Sequence, residues 1–186
     1  MTREDAWRLV EEWVESRGLR KHMLAVESAM RAYARKYGQD EELWGIAGLL
    51  HDFDYEKYPN PERNKEGHPF PAVKILREKG YPEEIIQAIL GHAVYSGVPR
   101  ETLMAKCLFA VDELCGFLTA MAYIRPERLN GLTPDKVREY LKNKRFAEKV
   151  SREEIAQGIT EIGVSEDEHI ALVIQAMQGI ADKLRF

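Results

Sequence analysis

Residues 19–38 read LRKHMLAVESAMRAYARKYG. At 3.6 residues per turn, His22, Val26, Ala29, Met30 and Tyr33 share one face, Glu27, Arg31 and Lys36 turn away from it, and Gly38 supplies the stop. A histidine therefore sits on the apolar stripe and points toward the core. The same i, i+3, i+4, i+7 spacing recurs almost throughout the chain, whereas alternation at strand spacing is hard to find. The expected fold class is all-α.

Toward the N-terminus, Thr2 and Asp5 form the pattern of a capping box, and Ala6, Leu9, Val10, Trp13 and Val14 make a stripe that runs up to Gly18. Toward the C-terminus, a third helix is expected from Glu41 to His51. It is followed by the polar, proline-punctuated stretch DFDYEKYPNPERNKEG, residues 52–67. A structureless loop of that length is uncommon and is usually functional. Pro69 and Pro82 suit first turns of helices, Gly80 suits a stop, and Gly97-Val98-Pro99 divides the segment bearing His92 from the one bearing Asp112. After the break IRPERLNGLTP, residues 124–134, helical spacing resumes and ends on the stripe Ile170, Val173, Ile174, Met177, Ile180, Ala181 and Leu184. The expectation is one domain over residues 1–186, with additional C-terminal helices from about residue 134.

With 186 residues, 45% of them hydrophobic, the chain can bury a full-sized core. Its net charge of −4 argues against binding a nucleic-acid polymer through a broad basic surface. No run is expected to approach a membrane span, and MTREDAWRLVEEW lacks the pattern of a signal peptide, so a cytoplasmic protein is expected. Cys107 and Cys115 read as reduced core thiols. His169, in the polar run SEDEHI, reads as an exposed surface residue.

Imidazole and carboxylate side chains on apolar faces call for partners. His51 and Asp52 end a helix whose Leu43, Ile46, Ala47 and Leu50 are buried. Asp112 lies within AKCLFAVDELCGFL on the face of Met104, Cys107 and Cys115. Ile85, Ile86, Ile89 and Leu90 lead directly into His92, and His68 closes the polar loop before Pro69. An unpaired buried carboxylate costs several kcal/mol, so a base or a cation should meet Asp112. Either a metal or separate structural partners could answer that need.

The ordered set His22, His51-Asp52, His68, His92, Asp112 resembles the HD-domain superfamily of metal-dependent phosphohydrolases, in its two-metal form, over roughly residues 20–125. The resemblance implies a compact helical bundle with two divalent ions, of iron, manganese, nickel, cobalt or zinc. His22, His51, Asp52 and Asp112 would hold one ion, and His68, His92 and a bridging Asp52 the other. It further implies hydrolysis of a small phosphate ester, foremost a nucleotide, by metal-activated water. Asp52, Asp54 and Glu56 are then the candidate catalytic carboxylates, and Lys57, Arg63 and Lys65 the candidate phosphate contacts, with Arg20 and Lys21 ranked below them. A di-iron oxygenase acting on a small polyol or phosphonate and a non-catalytic nucleotide sensor stay open. The expected partner is a small phosphate-bearing molecule, with no membrane, and a homodimer also stays open.

Overall fold

The chain winds around α6 (Leu103–Ile124), a 22-residue helix whose apolar residues are buried nearly all round. The structure, a computed structural model, describes residues 1–185. It contains α1 (Arg3–Trp13), α2 (Arg17–Tyr37), α3 (Glu41–Leu50), α4 (Phe70–Glu78), α5 (Glu83–His92), α7 (Pro134–Lys142), α8 (Arg152–Ile162), α9 (Glu166–Gln178) and α10 (Ala181–Leu184), with a 3-10 turn at Val94–Ser96. No strand occurs among the described residues, and the all-α expectation holds. Helices α2, α5, α8 and α9 pack on α6, and α3 lies along α2.

Two glycines set how closely the helices approach. A Cβ at Gly48 would lie 2.9 Å from the Val26 carbonyl oxygen, and one at Gly158 would lie 2.5 Å from the Ala110 Cα. The absence of a side chain therefore brings α3 onto α2 and α8 onto α6. By length and composition α6 could cross a membrane, which corrects the expectation that no run comes near that limit. Its packing against α2, α5, α8 and α9 accounts for its apolar character here.

Helix ends follow local chemistry. The Thr2–Asp5 capping box forms, with Thr2 N–H donating to Asp5 Oδ2 at 3.0 Å. The boundary expected at Gly18 lies earlier. Val14 is extended, Ser16 Oγ accepts the Leu19 N–H at 3.2 Å, and α2 begins at Arg17. Gly38 adopts φ +63° and closes α2.

Two residues read as solvent-facing are buried. Glu27 is 5% exposed, because α1, packed on α3, brings Arg3 to it through bonds of 2.7 and 2.9 Å, while Arg31 reaches it at 3.0 Å. His169 is fully buried, corrected by partners from two other helices. Its Nε2–H donates to the Ala110 carbonyl at 3.0 Å, which leaves Nδ1 to accept the Tyr33 hydroxyl at 2.5 Å. Cys107 and Cys115 are buried free thiols, and Met30, Tyr33 and Trp44 belong to the core.

Burial pushes the His169 pKa down to about 4, against about 6.5 for an unfolded histidine. The unfolded chain binds the extra proton, so this residue's contribution is complete above pH 6.5 and fades as pH falls toward 4, by about 3 kcal/mol in total. Urea unfolding of wild type and His169→Gln at several pH values should show their stability difference shrinking across that window. A difference that stays constant from pH 7 to 4 would refute a buried neutral imidazole.

Candidate metal centre

Six side chains from five segments converge beside α6. His22 comes from the first turns of α2, His51 caps the end of α3 and Asp52 follows it. His68 precedes α4 across a cis peptide to Pro69, His92 ends α5, and Asp112 projects from the middle of α6. They form two groups, His22–His51–Asp112 and Asp52–His68–His92, with the donor atoms of each within 4.8 Å of one another. Asp52 faces both. Its Oδ2 lies 3.4 Å from His51 Nε2 and 3.8 Å from His22 Nε2, and its Oδ1 lies 3.3 Å from His68 Nε2 and 3.6 Å from His92 Nε2.

The hydrogen bonds behind the rings determine what the front nitrogens can do. His51 Nδ1–H donates to the Gly48 carbonyl at 2.8 Å, His92 Nδ1–H to the Ile89 carbonyl, and His68 Nδ1–H to Asp54 Oδ1 at 2.6 Å. Each ring in this tautomer presents a bare Nε2 lone pair forward. Yet His68 Nε2 and His92 Nε2 are 3.1 Å apart, and His22 Nε2 and His51 Nε2 are 3.2 Å apart. In the first pair two bare lone pairs face each other and repel unless a positive charge lies between them. In the second, no neighbour among the described residues fixes the His22 Nδ1, and its Nε2–H can donate to Asp112 Oδ1 at 2.9 Å when no ion is bound. Neighbouring ligands on an ion with bonds of about 2.0–2.2 Å are separated by about 3–3.5 Å, so the donor set fits a divalent metal.

Without an ion, protons answer the same need. Burial alone would lower the His51 pKa, but the Asp52 and Asp112 carboxylates outweigh it and hold the pKa well above the usual range. Burial likewise opposes ionisation of Asp52, and His51, His92 and His68 nevertheless keep its carboxyl well below the carboxylate range. Metal binding must therefore displace protons.

The remaining expected residues separate sharply. Asp54 is fully buried behind His68, with Oδ1 on the ring and Oδ2 accepting the Ala72 N–H at 2.9 Å, so it orients a ligand and does not face the cleft. Glu56 is drawn to the α1–α2 junction, where it accepts the Glu15 and Ser16 N–H groups at 3.1 and 2.9 Å. Lys57 lies over the Trp13 ring, 4.2 Å from its centroid, and donates to the Glu12 carbonyl. Arg20 bonds the Val14 and Glu11 carbonyls, Lys21 reaches Tyr123 and the Arg185 carbonyl, and Lys65 is exposed away from the cleft lining. Of the expected phosphate contacts, Arg63 alone borders the cleft.

That cleft, about 590 Å³, is also bordered by residues the sequence did not single out, including Tyr55, Asn60, Tyr95, Glu113 and Glu154. The 52–67 stretch is not structureless. Asn60 Nδ2 donates to the His68 and Asn64 carbonyls at 2.7 and 2.8 Å, and Tyr95 O–H donates to the His68 carbonyl at 2.8 Å. Burial, then the neighbouring Asp112 charge, raises the Glu113 pKa to about 8. A larger hollow of about 880 Å³ lies between α2 and α9, but none of the six ligand-type residues borders it.

Asp54→Asn keeps the shape behind His68 and removes the charge from its ring bond. Metal affinity of the Asp52–His68–His92 group should fall roughly 10- to 100-fold, measured by chelator competition. Unchanged affinity would mean that something other than Asp54 orients the ring.

No curated protein and no solved structure matches the chain. The profile of the HD domain matches residues 19–116, a span that opens three residues before His22 and closes four after Asp112. Carrying the His51-Asp52 doublet within an all-helical fold, the chain belongs to the HD-domain family, whose members are mostly metal-dependent phosphohydrolases.

Proposed function

We propose that the protein hydrolyses a small phosphate ester using two divalent ions held by His22, His51, Asp52, His68, His92 and Asp112. The observation that carries this reading is the divided carboxylate of Asp52, with one oxygen toward each histidine pair, at the floor of a cleft of about 590 Å³. Bound divalent ions supply the Lewis acidity that activates water as a nucleophile and offsets charge on phosphoryl oxygens.

The chain's own residues supply position. Asp54 and the Gly48 and Ile89 carbonyls fix the rings. Asn60 and Tyr95 anchor the His68 backbone. Arg63, lying 5.9 Å from the Tyr95 ring centroid, is the guanidinium available to a phosphate oxygen. The cleft size favours a small molecule over a polymer, and nucleoside monophosphates are the first members of the class to test.

The test is metal analysis of the purified protein, followed by turnover of phosphate esters with manganese, nickel, cobalt, iron or zinc added. About two equivalents of metal and hydrolysis are expected. Asp52→Ala should release both ions, and His68→Ala should weaken chiefly one. Coloured iron with no ester turnover would replace this reading with oxygenase chemistry, and full metal retention in both variants would remove the two-ion site.

A further inference from the structure

Arg63 borders the cleft from a loop that closes where the His68 N–H donates to the Tyr58 carbonyl at 2.8 Å. Its backbone takes φ +54°, in the left-handed region, which strains a residue that carries a Cβ. Its guanidinium enters no ion pair among the described residues and lies 5.9 Å from the centroid of the Tyr95 ring. A strained arginine with no carboxylate partner, beside the ligand-type residues, is a cation kept for a ligand.

Two separate routes join this arginine to His68, and both end on the same atom. In the first, the Arg63 N–H donates to the Asn60 carbonyl at 3.2 Å, and Asn60 Nδ2 donates to the His68 carbonyl at 2.7 Å. In the second, the Tyr95 ring neighbours the guanidinium, and its hydroxyl donates to that same His68 carbonyl at 2.8 Å. Asn60 is itself locked in place. It donates to the Asn64 carbonyl at 2.8 Å and accepts the Asn64 N–H at 2.9 Å, and a Cβ at Gly67 would lie 2.6 Å from its Cγ. Closing the loop calls for the Asn64 bonds. It does not call for two donors on one carbonyl, each of them from a residue that also contacts Arg63.

We propose that Asn60 and Tyr95 are positioning residues that join Arg63 to His68, so that the phosphate contact and a ligand of the Asp52–His68–His92 group are set as one unit. This rests on the phosphate-ester reading above. Arg63 contributes its full bond to a phosphate oxygen only while the His68 carbonyl holds Asn60 and Tyr95. Loosening that junction costs twice, in ion affinity through the His68 ring and in phosphate affinity through the guanidinium. A residue that merely supported His68 would lower ion affinity and leave the worth of Arg63 unchanged.

The test is a double-mutant cycle on the full chain, at manganese concentrations that fill both groups, with methylphosphonate as the probe because it has no ester bond to hydrolyse. Calorimetry should show Arg63→Met weakening methylphosphonate binding about tenfold in the wild-type background and at most about threefold in Asn60→Ala. Tyr95→Phe keeps the ring and removes only the bond to the His68 carbonyl, and it should shrink the Arg63→Met effect in the same direction. Chelator competition without phosphonate should show Asn60→Ala weakening one manganese about tenfold while the other is held as in wild type. An Arg63→Met effect of equal size in all three backgrounds, or none in wild type, overturns the proposal and leaves the hydrolase reading standing. Failure of methylphosphonate to bind wild type with both groups filled overturns both.

Discussion

Everything at the centre depends on imidazole nitrogens being held 3.1–3.2 Å apart with no hydrogen between the ring pairs in the metal-binding tautomer. Such an arrangement is unfavourable in an empty core. It persists because three of the four rings, those of His51, His68 and His92, are pinned from behind and because Asp52 and Asp112 supply negative charge in front. The rest of the fold can be read as what is needed to keep those rings from turning away.

Two of the pins are the same local device. His51 and His92 each stand at the end of a helix and donate Nδ1–H to a carbonyl three residues earlier, Gly48 and Ile89. The last carbonyls of a helix have no backbone donor, so a terminal histidine satisfies one of them and fixes its own tautomer in the same contact. His68 has no helix end to use. It depends instead on Asp54 for its ring and on Asn60 and Tyr95 for its backbone. The polar stretch after the doublet is therefore ordered by the job of presenting His68, with Asp54 turned to its ring and Glu56 and Lys57 engaged by the end of α1 and the start of α2.

This division explains what the sequence could reveal. A ligand on an apolar stripe announces itself, because His22, His92 and Asp112 contradict the periodicity around them. Glu27 and His169 instead fit the polar pattern around them, and their partners Arg3, Tyr33 and Ala110 are distant in sequence, so nothing local marks either as buried. Asp54 was legible as a carboxylate near the site and not as one turned behind a ring, since adjacent residues in a turn diverge in ways that no helical period describes. The bond from the Ser151 N–H to Glu113 was illegible for the same reason, because it forms only after α8 has packed on α6.

The family match ends at residue 116, within α6, yet the cleft does not end there. Beyond that point α8 contributes Glu154 to its border, and α8 lies this near because Gly158 lets it pack against the Ala110 backbone. A helix at ordinary separation would carry Glu154 away from the ligands. The ligand-type residues are set by α2, α3, the turn before α4, α5 and α6, and the place of Glu154 beside them depends on one close helix crossing. The ligand-type residues thus fall within the matched region while part of the cleft border does not, so membership of the family indicates a reaction class and not a substrate.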